Sequence, residues 1–328
     1  MIVRKQWLLE RRICDMAYID IKHLTKDYGN GRGIFDVSLE IEKGENYGLV
    51  GINGAGKTTT IRHLMGFLKP DEGSVTINGL DATKSSAEVK RYVSYIPGEI
   101  NFPGNKTGEE FLKDQIYLSG RGSWERAKEL SNLLQLDVTA NVRSMSKGMK
   151  QKTAIVSAFA SNADILIMDE PTTGLDPLMR DIFLDLLKQE KKQGKTILMS
   201  SNIFQEVEDV SDRVAVIREG KIIDTTDMAD IRYNENKSYR MEFKSLADFE
   251  RFLNLGYQLT MVKAEDLQVV VQIHDKNINY LIQDLKDFDL VYFKEIKFSF
   301  EDYITEIFKP ANKKSSKKLE RELSGLKA

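Results

Sequence analysis

The eight residues Gly51-Ile52-Asn53-Gly54-Ala55-Gly56-Lys57-Thr58 narrow the fold more than any other segment of the chain. They fit the pattern G-x-x-x-x-G-K-[ST]. They lie between an apolar run, Tyr47 to Val50, and a helical stretch, Thr58 to Phe67, the context this pattern requires. Glycines let successive backbone N–H groups turn inward around phosphate oxygens, and the helix start adds a partial positive charge. Lys57 is then a point charge for β- and γ-phosphates, and Thr58 a hydroxyl ligand for Mg²⁺.

The surrounding pattern is α/β. Further apolar runs, Ile165 to Met168 and Thr196 to Ser200, are each flanked by helical stretches. They are nearly continuous rather than alternating, so they predict strands covered on both faces, in a largely parallel sheet. Between about 104 and 136 the strand signal stops, and Gly108–Tyr117 and Ser123–Leu136 read as helices of an insertion. After Asp230 the order becomes strand (Ser238–Phe243), helix (Leu246–Leu253), strands (Gln258–Lys263, Leu267–Ile273), helix (Asn277–Phe288), strand (Val291–Lys297) and helix (Phe300–Phe308). That β-α-β-β-α-β order predicts a small α+β domain of ferredoxin-like type. The expected organisation is an extension at 1–15, a nucleotide-binding domain at 16–230 starting near Met16, the accessory domain at 231–310, and a basic tail at 311–328. The tail reads either as a solvated helix or as a contact for anionic lipid headgroups.

Composition removes several classes. With 48 Lys+Arg against 50 Asp+Glu the net charge is −2, which gives no basic field for nucleic acid. The 328 residues contain one cysteine, Cys14, so no internal disulfide forms. The start MIVRKQWLLERRIC has too short an apolar stretch for a signal peptide. The expectation is a cytoplasmic, reduced protein. No run approaches the roughly 18 apolar residues of a membrane-spanning helix, so a role at a membrane requires another chain to span it.

Ile165-Leu166-Ile167-Met168-Asp169-Glu170 is a buried strand ending in two carboxylates. Adjacent like charges at a strand end are costly without a cation, which makes Mg²⁺ the natural partner of Asp169. Glu170 can then polarise a water for in-line attack on a γ-phosphate.

Together these motifs resemble the ATPase subunits of ATP-binding-cassette (ABC) transporters, over roughly Tyr18 to Asp230. Met145-Ser146-Lys147-Gly148-Met149-Lys150-Gln151, with Ser146 23 residues before Asp169, is similar to the family signature. Lys147 and Met149 stand where the family usually has Gly and Gln, a form similar to bacterial exporters of drugs and antimicrobial peptides. Met145 and Met149 at helical spacing also read as core residues. Thr173-Gly174-Leu175-Asp176 resembles the loop that contacts the opposite subunit. Tyr28, 29 residues before Lys57, holds the position of the adenine-stacking aromatic, although a turn tyrosine taken alone reads as packing. The resemblance implies a P-loop NTPase fold and ATP with Mg²⁺ as cofactors. The implied ATP-binding residues are Tyr28, Asn53, Gly54, Ala55, Gly56, Lys57, Thr58 and Thr59, with Ser146 and Gly148 acting on the other subunit's ATP. It also implies a head-to-tail homo- or heterodimer, peripherally attached to the inner membrane face through a separate permease. The insertion would receive the permease's cytoplasmic helices, and the accessory domain would pair across the dimer.

Two positions depart from the pattern. In Tyr95-Ile96-Pro97-Gly98-Glu99 the family's Gln is replaced by Gly98, so either Glu99 substitutes or the loop serves as a joint. Asn202, 32 residues after Glu170, stands where the family has its switch histidine and cannot titrate. The implied catalytic set is Glu170, Asn202 and Lys57, with Thr58 and Asp169 on the metal. Two functions follow: an ATPase, slowed by Asn202, that powers export of a drug, peptide or lipid-like substrate, or a hydrolysis-impaired ATP-gated regulatory module.

Overall fold

The computed structural model describes residues 17–308 apart from 105, 234 and 297. The expected extension at 1–15, Cys14, Met16 and the tail at 311–328 lie outside the described residues. The chain divides into one unit ending at Met228 and another beginning at Ala229.

Strands of the first unit, in chain order, are β1 (Ile19–Asp27), β2 (Gly33–Ile41), β3 (Asn46–Val50), β4 (Glu72–Ile77), β5 (Leu80–Asp81), β6 (Val93–Ile96), β7 (Ile165–Asp169), β8 (Thr196–Ser201), β9 (Arg213–Arg218) and β10 (Lys221–Asp227). They form two sheets, ordered β2-β1-β4-β5 and β10-β9-β3-β8-β7-β6. Every residue of β3, β7 and β8 is buried, the signature of strands covered on both faces. β9, β3, β8, β7 and β6 pair in parallel.

The six-stranded sheet is largely parallel, as expected, and two features add to that expectation. β10 closes one edge antiparallel to β9, and β1, β2, β4 and β5 make a separate antiparallel sheet. Alternation is the reason: Val37, Leu39 and Ile41 of β2 turn inward while Ser38 and Glu40 face water. In β1 the register shifts between Ile21 and Leu24, and His23 takes a φ of 49°, so Leu24 turns inward three residues after Ile21. Ile19, Ile21, Leu24 and Ile34 then join Leu49, Ile61, Ile167 and Leu198 in one core shared by both sheets.

Three helices occupy and follow the insertion: Gly108–Ser119, Trp124–Leu133 and Lys147–Ala160. The first is fixed by a capping box, Thr107 Oγ1 accepting from the Glu110 N–H at 3.2 Å and Glu110 Oε2 from the Thr107 N–H at 2.9 Å. The second stops at Leu133, three residues short of expectation, and Gln135 takes a φ of 51° that ends helical geometry.

The second unit contains β11 (Asn236–Phe243), β12 (Gln258–Lys263), β13 (Gln268–His274) and β14 (Leu290–Ile296), ordered β12-β13-β11-β14 with every neighbour antiparallel. This is ferredoxin-like pairing, with helices Leu246–Leu253 and Ile278–Asp284 in the crossovers. Its core contains Met241, Phe243, Phe249, Phe252, Val271 and Leu281. The helix expected over Asn277–Phe288 is shorter, because 3₁₀ turns occupy Asp275–Asn277 and Leu285–Asp287.

Candidate active site

Parallel register brings the ends of four strands to one edge of the sheet. Val50 lies opposite Ser201, Asp169 opposite Ser200, and Ile96 opposite Met168. The loops that follow β3, β6, β7 and β8 therefore converge at the carboxyl ends, where open α/β sheets bind ligands. A cleft of about 820 Å³ lies there. Tyr28, Asn53, Gly54, Ala55, Gly56, Lys57, Thr58, Thr59, Asp169 and Glu170 all line it, whereas Ser146, Gly148 and Asn202 do not.

The helix Lys57–Leu64 starts at the cleft, and no side chain caps its first turn. Its N-cap, Gly56, has a φ of 114°, and a Cβ there would come within 2.7 Å of Ile34 Cγ2, so the position demands glycine. First-turn N–H groups left without a side-chain cap suit phosphate oxygens. Lys57 is buried, with Nζ donating to the carbonyls of Gly51 at 2.7 Å and Ile52 at 3.3 Å. It also pairs with Glu170 Oε1 at 3.1 Å. Tyr28, in the β1–β2 turn, is 53% exposed and offers a ring face for stacking.

Asp169 is buried at the end of β7. Its Oδ1 accepts from Ser200 Oγ at 2.6 Å, while the buried Oδ2 has no hydrogen-bond partner among the described residues. A buried carboxylate oxygen with no donor is costly, and a cation or its water shell satisfies it. Asp169, which lines the cleft together with Thr58, therefore suits a bound cation. Burial first, and then the Asp169 carboxylate, push the Tyr95 phenol up to about 12.

Glu170 has a φ of 48°, a left-handed conformation that costs a non-glycine residue about 1–3 kcal/mol. Its N–H donates to the Ser200 carbonyl and to Ser200 Oγ, each at 3.1 Å, and its carbonyl accepts from the Thr173 N–H at 3.2 Å. Those bonds hold the strained backbone and aim Glu170 at Lys57.

Asn202 is exposed, and its Nδ2 donates to Asn53 Oδ1 at 3.2 Å, so the loop after β8 reaches the Gly-rich loop. Gly98 sits beside Asp169: a Cβ placed there would lie 3.2 Å from Oδ2. Glu99 is exposed and lines the cleft. Ser146 caps the helix Lys147–Ala160, its Oγ accepting from the Met149 N–H at 3.2 Å. A Cβ on Gly148 would stand 2.9 Å from the Gly174 carbonyl oxygen, so the signature packs on the loop after β7. Met145 is buried and accepts from Thr153 Oγ1 through Sδ.

Sequence reasoning passed over Ser200, which orders both acidic residues, and gave no separate role to Gln151 of the signature, whose Nε2 donates to the Pro171 carbonyl at 2.6 Å. It also passed over Arg62, a cation of the cleft wall, and the buried Glu206, and it gave Lys147 of the signature no place in that wall. Two serines ending the otherwise apolar β8 were the available signal.

Comparisons with known proteins agree with this geometry. The family model described as ABC transporter matches residues 34–173. The ABC transporter ATP-binding protein NatA of Bacillus subtilis (strain 168) is 37% identical over 250 residues, 74% of this chain and 93% of that protein. The bacitracin transport ATP-binding protein BcrA of Bacillus licheniformis is 34% identical over 227 residues, 67% of this chain and 72% of that protein. A solved structure described as the ATP binding subunit of an ABC transporter matches with a TM-score of 0.59 at 31% identity, covering 66% of this chain and 92% of that one. With relatives matched over most of their length and the phosphate loop, acidic strand end and signature helix all in place, this chain belongs to the ABC transporter family as an ATP-binding ATPase subunit.

Proposed function

We propose that this subunit powers export of a drug, peptide or lipid-like substrate through a separately encoded permease, working as a dimer attached to the inner membrane face. The observation that carries this reading is the meeting of Lys57, Asp169 and Glu170 at one cleft beside an uncapped helix start. Among the described residues no helix is long and apolar enough to cross a membrane, so the permease supplies the path. The relatives' names, which include Nod factor export and bacitracin transport, support the direction and the substrate class.

Lys57 and the Gly54–Thr59 amides bind the phosphates, and Tyr28 stacks on the base. Thr58 and Asp169 hold Mg²⁺, which supplies charge neutralisation at the β- and γ-phosphates. Glu170 holds the attacking water in line and draws its proton. Ser146 and Gly148, which stand outside this subunit's own cleft, serve the ATP of the facing subunit. Asn202 donates a neutral amide N–H to the γ-phosphate side.

The test is phosphate release from Mg-ATP by the chain co-reconstituted with its permease in proteoliposomes. Steady turnover that Lys57→Ala removes is expected; no release under any condition refutes the reading. The Asn202–Asn53 bond favours a second reading, in which ATP gates the dimer and hydrolysis is slow. Tight ATP binding and dimer closure without turnover would select it.

A further inference from the structure

Glu206 is a buried carboxylate for which the proposed chemistry has no use. Only 2% of its surface is exposed, in the helix Phe204–Val210 that follows β8. Its Oε2 accepts from Thr172 Oγ1 at 2.9 Å and from Ser201 Oγ at 3.1 Å, and its Oε1 lies 3.0 Å from Arg180 Nε. These partners belong to different parts of the site. Thr172 is in the loop after β7, two residues beyond Glu170, and Arg180 is in the helix Pro177–Lys192 that this loop enters. Ser201 ends β8 next to Asn202, and its Oγ accepts from the Ile203 N–H at 2.9 Å.

We propose that Glu206 is a positioning residue for ATP hydrolysis, clamping the loop after β7 to the loop after β8 so that Glu170 and Asn202 are held as one body. A buried acid without partners would destabilise the fold. Here two hydroxyl donors converge on Oε2 while a guanidinium pairs with Oε1, and each hydroxyl sits on a segment that carries a proposed site residue. The loop after β7 is also held from its other side, where Gln151 Nε2 donates to the Pro171 carbonyl. The clamp thus continues from the loop after β8, through the loop after β7, to the signature helix. Burial first raises the Glu206 carboxyl above its ordinary value and the nearby Glu170 charge raises it further, while Thr172, Ser201 and Arg180 lower it. The carboxylate therefore depends on the clamp as much as the clamp depends on it.

The inference rests on the assignment of Glu170 as the water-polarising residue, so Glu170→Gln is measured in the same series. Glu206→Gln keeps the side-chain shape but turns an amide donor or a neutral oxygen toward Arg180. Its kcat for ATP should fall about ten-fold or more, with KM for ATP within about two-fold, because the phosphate loop is untouched. If Glu206→Gln does not fold, Thr172→Val carries the same test, since it deletes one bond at constant volume. Its kcat should fall roughly three- to ten-fold at constant KM, with the melting temperature lowered by only a few degrees and the fold intact at the assay temperature. Parent-like kcat in the folded variant, with Glu170→Gln inactive, overturns the clamp. Parent-like kcat in Glu170→Gln overturns instead the assignment on which it rests. A fall in kcat matched by an equal rise in KM, or reversed by assay at a temperature that restores full folding, identifies a purely structural role and also overturns the proposal.

Discussion

Lys57 Nζ lies 3.1 Å from Glu170 Oε1, so the proposed cation for the phosphates and the proposed base for the water form one partly buried ion pair. An ammonium shared between a carboxylate and two loop carbonyls is held on the cleft axis. Entering phosphate oxygens then compete with Glu170 for its charge.

Glu170→Gln removes both the base and the competitor. Turnover should fall by roughly 10²-fold or more, the usual contribution of a positioned general base. ATP affinity should hold or tighten, because Lys57 no longer shares its charge. A fluorescent-ATP titration alongside phosphate release checks both, and Mg-ATP should trap the variant as a dimer on size exclusion. A strictly monomeric variant at saturating Mg-ATP, with and without permease, contradicts the shared-site arrangement.

Lys57→Ala should lose measurable nucleotide retention. The side chain is buried at the loop and is the cation that Glu170 pairs with there, so no other group replaces it at the same point. An unchanged dissociation constant for ATP would remove Lys57 from the phosphate site.

Asp71 ties the segment before β4 to the end of β1 next to Tyr28, accepting from Lys26 Nζ at 2.7 Å and from the Asp27 N–H at 2.9 Å. The Lys26 hydrogen bond, then the Asp27 N–H, hold its carboxyl below the ordinary 3.8. A depressed value means the folded state prefers the ion, so the stabilisation is complete above 3.8 and is lost as pH falls through the lowered value. Asp71→Asn should lower the melting temperature at pH 7, and the gap to the parent should narrow progressively as pH falls below the ordinary 3.8. A gap constant over that range would exclude the linkage.

Much of this site was legible because its chemistry is written contiguously. Gly51 to Thr58 and Asp169-Glu170 are local motifs, and the apolar runs Tyr47–Val50 and Ile165–Met168 beside them leave little choice of fold. Residues that act across sequence separation were harder to find. Ser200 carries no motif of its own, and only the parallel register of β7 against β8 sets it opposite Asp169. Glu206 reads as one more surface acid until tertiary packing buries it among Thr172, Ser201 and Arg180. The antiparallel sheet was missed for a related reason: a bulge at His23 interrupts the alternation of β1, and period-two reading depends on that alternation.

Gly148→Ala tests whether the signature must seat on the loop after β7. The added methyl would stand 2.9 Å from the Gly174 carbonyl, a backbone atom that cannot rotate away. The helix start would shift while Gln151 still holds Pro171 from one turn further on. Turnover and ATP-driven dimerisation should both fall several-fold, with monomer ATP affinity within about two-fold because the Lys57 loop is remote in sequence and untouched. Intact dimerisation at normal turnover would place the facing subunit's contact elsewhere.

Asn202→His addresses the departure at the γ-phosphate side. Asn202 is short and neutral, and its Nδ2 is committed to Asn53 Oδ1 at 3.2 Å. An imidazole reaches further and can carry charge, so it supplies the donor that a carboxamide bound to the Gly-rich loop supplies weakly. Its turnover should rise about ten-fold, towards the roughly 10²–10³ scale of a preorganised donor. ATP affinity should stay unchanged, because Lys57 and the helix start are not altered. The variant should also acquire a pH inflection near the ordinary histidine value of about 6.5, which the parent lacks at this position. Assays at matched enzyme concentration with the same permease keep dimer closure from masking the chemical step. Unchanged turnover, with Glu170→Gln still inactive, would mean that the Asn202 amide already performs the task and that slow hydrolysis has no origin at this residue.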